Sequence, residues 1–213
     1  MNYEIITKNG TIVYEEKIFS YGKEPLVLEV ATTNLLDVKR VLDFHNVKFG
    51  LIFGTLLGSI RENNFIEHDE DTDLFILNED KENMLSSLHD LVECGFEIGR
   101  YNGKLLSIIR NGEYIDFYFF RKSNFFYRKC DVGLVAKAKY LENTKDYKFL
   151  GEIFQVPEEA ESLLVDLYGK TWKTPIKNDP TTNYNKYLIF RESIKKNIPF
   201  LFTILSAFKK LVR

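Results

Sequence analysis

Gly54-Thr55-Leu56-Leu57-Gly58-Ser59-Ile60-Arg61, a short spacer, and then Asp69-Glu70-Asp71-Thr72-Asp73-Leu74-Phe75-Ile76-Leu77 form the stretch that decides the fold. Leu74 to Leu77 is an unbroken apolar run, typical of a strand covered on both faces. Carboxylates leading into such a strand are costly unless a cation offsets their charge. Asp71 and Asp73 are two apart, so in a strand that includes both they project from one face, close enough to share one or two hard divalent cations. Magnesium takes one or two carboxylates and completes its shell with phosphate oxygens, which points to a phosphorylated substrate. Upstream, Gly54 and Gly58 allow close backbone approach to a ligand. Thr55, Ser59 and nearby amides offer donors to phosphate oxygens, and Arg61 offers a bidentate contact. The plainer alternatives are ordinary turns for the glycines and solvated or capping charge for Asp69 and Glu70.

A third acid, Asp116, stands in Tyr114-Ile115-Asp116-Phe117-Tyr118, an otherwise mostly apolar strand pattern. If that strand lies beside the first, three carboxylates converge, able to hold metal, activate a hydroxyl and offset charge on a transferring phosphoryl group. The alternative for a lone strand aspartate is an edge position or an ordinary hydrogen bond. The combination of the turn, the paired acids and the third acid favours a site.

Around this centre the pattern is α+β. Asn9-Gly10 separates two short strand-like runs, a hairpin signal. Val27, Ala31, Leu35, Val38 and Leu42 recur at helical spacing and predict one long helix from near Pro25 to Phe44. Val47 to Phe53 reads as a strand ending at Gly54, with a short helix or turn after it. Asn78 is the expected cap of a helix that buries Met84, Leu85, Leu88, Leu91 and Val92 and ends at Gly95. Phe96 to Tyr101, Leu105 to Arg110 and Tyr114 to Phe120 are three further strands, the last two joined across Asn111-Gly112. Arg121 to Lys148 gives no regular pattern beyond a strand near Gly133 to Ala138. Pro157 introduces a helix from Glu158 to Tyr168 closed by Gly169, and two more helices are expected at about Asn185 to Lys196 and Phe200 to Val212.

The 213 residues are 45% hydrophobic and 28% charged, enough apolar surface to build a core and too much for a disordered chain. Twenty-nine basic against 31 acidic side chains give no global attraction to nucleic acid, and none is expected as a partner. Two cysteines, Cys94 and Cys130, exclude a disulfide framework or a cysteine zinc module. With no secretory leader pattern at Met1 to Lys8 and no apolar run of roughly 20 residues, a cytoplasmic location is expected.

The spacing of Gly58-Ser59, eleven residues, Asp71-Thr72-Asp73-Leu74 and a later Asp116 resembles the signature of the nucleotidyltransferase-fold superfamily. More narrowly, Phe53 to Arg61, Phe65-Ile66 and Asp69 to Asp73 closely resemble the LicD family of phosphorylcholine and fukutin-related sugar-alcohol phosphate transferases. Tyr168-Gly169-Lys170-Thr171-Trp172 is similar to the family's C-terminal Tyr-Gly-x-x-Trp element. The chain departs from the family pattern at Glu67 and His68, where proline and tryptophan are usual, at Glu70, which replaces an aspartate, and at Thr72, which replaces an apolar residue.

The resemblance implies a nucleotidyltransferase-like mixed β-sheet flanked by helices over residues 1–175, and a helical C-terminal extension over 176–213. It implies an enzyme that passes phosphocholine or a polyol phosphate from a cytidine diphosphate-activated alcohol to a cell-surface glycan, such as lipopolysaccharide or teichoic acid. Asp71, Asp73 and Asp116 would be its catalytic and metal-binding residues, with Mg²⁺ or Mn²⁺. Gly54, Thr55, Gly58, Ser59 and Arg61 would hold the diphosphate. The alternatives are transfer of a nucleoside monophosphate by the same acids, or a non-catalytic nucleotide-binding partner in glycan assembly. His68 has two readings, a base or phosphate contact and a solvated loop residue.

The tail from Arg191 carries six basic residues and one acid, with Leu201, Ile204, Leu205, Phe208, Leu211 and Val212 on one helical face. Peripheral contact with the inner face of an anionic membrane is one expectation for it, and docking on its own domain or a second subunit is the other.

Overall fold

The computed structural model describes residues 2–17, 25–66, 69–130 and 134–175. The chain divides into two compact units, Met1–Leu163 and Leu164–Arg213. The two helices expected beyond residue 176 and the histidine at 68 lie outside the described residues.

The first unit opens with the expected hairpin, β1 (Asn2–Thr7) and β2 (Gly10–Glu15), closed at Gly10 with φ +131°. Helix α1 (Leu28–Phe44) buries Ala31, Leu35, Val38 and Leu42 as its spacing predicts. It has no side-chain cap of its own at Val27. The Glu113 carboxylate instead accepts the Val27 amide at 2.8 Å, so the helix start is fixed by a residue far along the chain. Buried Asn34 exchanges hydrogen bonds of 2.9 and 2.8 Å with the Arg110 carbonyl and guanidinium.

Next come β3 (Phe49–Leu51), α2 (Phe53–Glu62), β4 (Thr72–Leu77), a single 3-10 turn (Asn78–Asp80) and α3 (Lys81–Glu93). Asn78 belongs to that turn and its side chain does not cap α3; the expected helix starts one turn later. Strands β5 (Glu97–Tyr101), β6 (Leu105–Arg110) and β7 (Glu113–Lys122) follow as a meander. The sheet order is β3-β4-β7-β6-β5. β4 and β7 run parallel and every other pair on that path is antiparallel, which makes the sheet mixed as expected. Leu74, Ile76, Phe117 and Phe119 are buried at its centre.

The described residues of Arg121 to Lys148 form regular elements over much of their length. β8 (Tyr127–Lys129) and β9 (Val135–Lys137) extend from the far end of β7, then come α4 (Ala138–Glu142) and a second hairpin, β10 (Thr144–Phe149) and β11 (Glu152–Pro157). This hairpin turns through Leu150 and Gly151, both at positive φ (51° and 87°), the geometry that matches strand twist in a two-residue loop. Pro157 therefore ends a strand and does not open a helix; α5 begins later and spans Ala160–Tyr168. Gly169, at φ +83°, follows it as expected. No helix among the described residues is long and apolar enough to cross a membrane.

Gly50 on β3 records how closely β11 approaches. A methyl group there would lie 2.5 Å from the Phe75 ring and 2.8 Å from the Gln155 carbonyl oxygen, and the latter is backbone that cannot rotate away. Gly50→Ala is expected to destabilise the fold by about 1–3 kcal/mol, measured as a lowered denaturant midpoint at unchanged slope.

Candidate active site

The site is built where β3 turns into α2 beside the start of β4. Ile52 is extended, Phe53 takes φ +45°, and the helix begins at once. Positive φ at a bulky residue is strained backbone, and it is held here by packing: the Phe53 ring meets Tyr118 edge-on at 4.8 Å.

The short helix expected after Gly54 is present and begins at Phe53, so Gly54 to Arg61 all lie on α2. The Thr55 hydroxyl is buried and accepts the Asp73 amide at 2.8 Å. The buried Ser59 hydroxyl donates to the Leu56 carbonyl at 2.9 Å. Gly58 packs against the Asn64 carbonyl, 2.5 Å from where a Cβ would sit, and the Arg61 guanidinium donates to Glu62 at 2.8 Å. Gly54 faces the acids. Its amide donates to Asp73 Oδ2 at 3.1 Å, and the Asp69 carboxylate occupies the space a side chain at Gly54 would fill. The positive end of the α2 dipole thus meets a carboxylate, the arrangement that favours negative charge.

β4 starts at Thr72, so Asp71 stands one residue before the strand. Parallel register sets Asp73 directly beside Asp116, roughly 4.8 Å between backbones. Asp73 and Asp116 are buried, and Asp69 and Asp71 half-buried. Burial raises the carboxyls of Asp71 and Asp73 well above the ordinary carboxylate range, and the neighbouring acids raise them further: Asp69, Asp116 and Glu70 act on Asp71, and Asp71, Asp69 and Asp116 on Asp73. Asp69 is pushed up to about 7, chiefly by burial and then by Glu70, against a partly offsetting Glu70 amide. Tyr114, two residues from Asp116, donates to Asp71 and is itself raised by burial and by the acids around it.

Asp116 is held differently from the others. Ser107 donates to Oδ1, the Arg100 guanidinium donates to Oδ2 at 2.8 Å, and the Tyr118 hydroxyl donates to Oδ2 at 3.3 Å. Burial raises this carboxyl too, and those three partners pull it back. Arg100, Ser107, Tyr114 and Tyr118 are additions to the expected site. Alternation shows the tyrosines in the sequence, since residues 114, 116 and 118 share one face of a strand; Arg100 and Ser107 need the β5-β6-β7 register.

Among the described residues no three His, Cys, Asp or Glu side chains are grouped as a metal-holding set. The donor chemistry nevertheless suits a hard divalent cation. Asp69, Asp71 and Asp73 supply only oxygens, and Asp69 Oδ2 is buried with no hydrogen-bond partner. Asp116 has both oxygens hydrogen-bonded to protein donors.

A mixed sheet with aspartates in register on parallel strands, at the N-terminus of a helix that follows the preceding strand directly, defines the class. The profile described as LicD/FKTN/FKRP, nucleotidyltransferase domain, matches residues 46–159, and the chain belongs to that family. A curated relative, the uncharacterized protein RT0683 of Rickettsia typhi, is 25% identical over 171 residues that cover 78% of this chain. The chain spans about half the length of that relative, 53%. Among solved structures, the antibiotic-resistance factor ANT(2'')-Ia in solution shares 12% identity at a TM-score of 0.49, covering 87% of this chain and 96% of its own. The lincomycin-bound lincosamide antibiotic adenylyltransferase LnuA shares 10% at 0.45, covering 62% and 83%.

The raised carboxyls set a pH dependence. A carboxyl whose folded pKa lies above its unfolded value contributes stability that is fully present below the unfolded value and lost as pH rises through the folded one. For Asp69 that window runs from 3.8 to about 7. Asp69→Asn, neutral throughout, is expected to gain thermal midpoint relative to the parent as pH rises across that window and to level off above it. A flat difference between the two melting curves from acid to neutral pH would contradict the assignment.

Proposed function

We propose that this domain transfers a phosphoalcohol group, phosphocholine or a polyol phosphate, from a cytidine diphosphate-activated alcohol to a glycan hydroxyl. The observation that carries the reading is Asp71 and Asp73 entering β4 with Asp116 in parallel register, at the helix start marked by Gly54. In the reaction the acceptor oxygen bonds to the phosphorus bearing the alcohol, and the bond from that phosphorus to the bridging oxygen breaks. Cytidine monophosphate leaves, and the acceptor proton passes to a carboxylate of the cluster.

Asp71 and Asp73, with Asp69 beside them, would hold Mg²⁺ or Mn²⁺, whose chemistry when bound is to neutralise charge on the diphosphate. The Gly54 amide and the dipole of α2 add a fixed positive field at the same place. Arg100, Ser107 and Tyr118 fix Asp116 as a positioning residue for this group of acids. Thr55, Ser59 and Gly58 act from beneath, by holding α2 against β4, and do not supply donors to phosphate. Most of the rate would come from alignment and charge neutralisation.

The domain's description as a nucleotidyltransferase keeps a second outcome within the same assay. Attack at the phosphorus next to the nucleoside would leave cytidine monophosphate on the acceptor and free the phosphoalcohol.

Incubation with cytidine diphosphate choline, ribitol and glycerol, Mg²⁺ and lipid-linked glycan, followed by mass spectrometry, is expected to show released cytidine monophosphate and a phosphoalcohol on the acceptor. Asp73→Asn should lower turnover by on the order of a hundredfold or more, as removal of several kcal/mol of charge stabilisation requires. Chelation should stop the reaction and added Mg²⁺ restore it. Silence with every donor would overturn the reading.

A further inference from the structure

Beyond the acids, β7 runs on to a turn with an unusual surface. Phe125 is 87% exposed, Phe126 69% and Tyr127 40%, with Val135 of the paired strand at 52%. The two phenylalanine rings pack only on each other among the described aromatic contacts, edge-on at 5.1 Å. Adjacent bare aromatics of this size mark a contact surface more often than a structural need.

The turn is built to hold them out. Asn124 Oδ1 accepts the amides of Phe126 and Tyr127 at 2.9 and 3.0 Å, Ser123 N donates to the Tyr127 carbonyl at 2.8 Å, and Ala138 N donates to the Phe126 carbonyl at 2.8 Å. Its base is anchored by Arg128, only 3% exposed, which donates to Glu79 at 2.8 and 2.9 Å, to Glu142 at 2.8 Å and to the Phe120 carbonyl at 3.2 Å.

The surroundings are cationic. Residues 121–139 carry six basic side chains and one acid. Lys122, Lys137 and Lys139 line the hollow beside the phenylalanines. Of the acids near them, Glu79 and Glu142 are engaged by Arg128, Glu79 also lies 3.8 Å from Lys122, and Glu159 accepts from Lys139 at 2.6 Å; with Asp131 of the same stretch these are four acids against six basic side chains, an excess of positive charge. Residues 176–213 carry eight basic and two acidic side chains, so neither this tail nor a second copy of the same basic face complements the patch in charge. A bilayer containing anionic lipid does so on both counts: headgroups for the lysines, acyl region for the rings.

We propose that the Phe125-Phe126 turn docks on the surface of an anionic membrane, with both rings in the interface and the flanking lysines against the headgroups. The docking residues belong neither to the tail sequence nor to the group of acids. Asp116 stands six residues before the end of β7 at Lys122, roughly 20 Å along an extended strand, and the turn lies beyond that end, so docking leaves the acids clear of the lipid.

The test is sedimentation of the full chain with vesicles of phosphatidylcholine alone and of phosphatidylcholine mixed with phosphatidylglycerol. Binding is expected only to the mixed vesicles, and added salt should weaken it. Phe125→Ser with Phe126→Ser, tail intact, should lower the partition coefficient on the order of tenfold or more. Lys122→Glu with Lys137→Glu should act in the same direction. No binding by the parent, undiminished binding by the double serine variant, or a dimer that the serine variant dissociates without vesicles would each overturn the proposal.

Discussion

The parallel pairing of β4 with β7 governs the rest of the site. Every other neighbour in the sheet is antiparallel, and this one pairing sets Asp73 against Asp116 at the strand ends. Like charges this close and this buried oppose their own ionisation. The sheet tolerates the arrangement because each carboxyl has a local answer. Asp73 receives the Gly54 amide, Asp116 receives Arg100, Ser107 and Tyr118, and Asp71 receives Tyr114. Asp69 has one oxygen with no answer among the described groups. That asymmetry sets Asp116, held by one guanidinium and two hydroxyls, apart from the other acids.

Two helices depend on the same region. α1 starts where Glu113, at the beginning of β7, receives the Val27 amide, and the Asp69 carbonyl accepts the amide of Leu26. α2 is pinned to β4 through Thr55 and Gly54. The residues that assemble the acids therefore also fix the helices around them, so a substitution at Thr55 or Glu113 acts on packing and site geometry together.

Much of this was legible in the chain itself. The run from Leu74 to Leu77, the helical spacing of Ala31 to Leu42 and the Asn111-Gly112 turn each announce their element, because hydrophobic period and turn chemistry are local signals, although Val27, at the head of the helical pattern, is exposed and stands just before α1. The pairing of Asp116 with Asp71 and Asp73 was legible as a pattern, and its family resemblance agrees with the matched profile. What failed did so for physical reasons. The packing role of Gly54 to Ser59 is one such case: these small residues read equally well as donors to a ligand, and in α2 they set a helix close on a strand. The β10-β11 hairpin escaped notice because β10, Thr144-Lys145-Asp146-Tyr147-Lys148-Phe149, buries only its last residue and so shows no apolar alternation. Leu150-Gly151 also lacks the Asn or Asp that usually signals such a turn. Asp69 reads as surface charge until Gly54 is seen to make room for it.

Arg128 has a consequence for how this part of the fold comes apart. One side chain ties the turn before α3, the helix α4 and the end of β7 to the short strand β8. Three-residue strands at a sheet margin ordinarily fray on their own. Here fraying would also part the Arg128 guanidinium from two carboxylates, so the strand loses more than its ladder bonds. The margin is thereby tied to the interior, and its amides are expected to exchange with solvent more slowly than those of an untied edge strand.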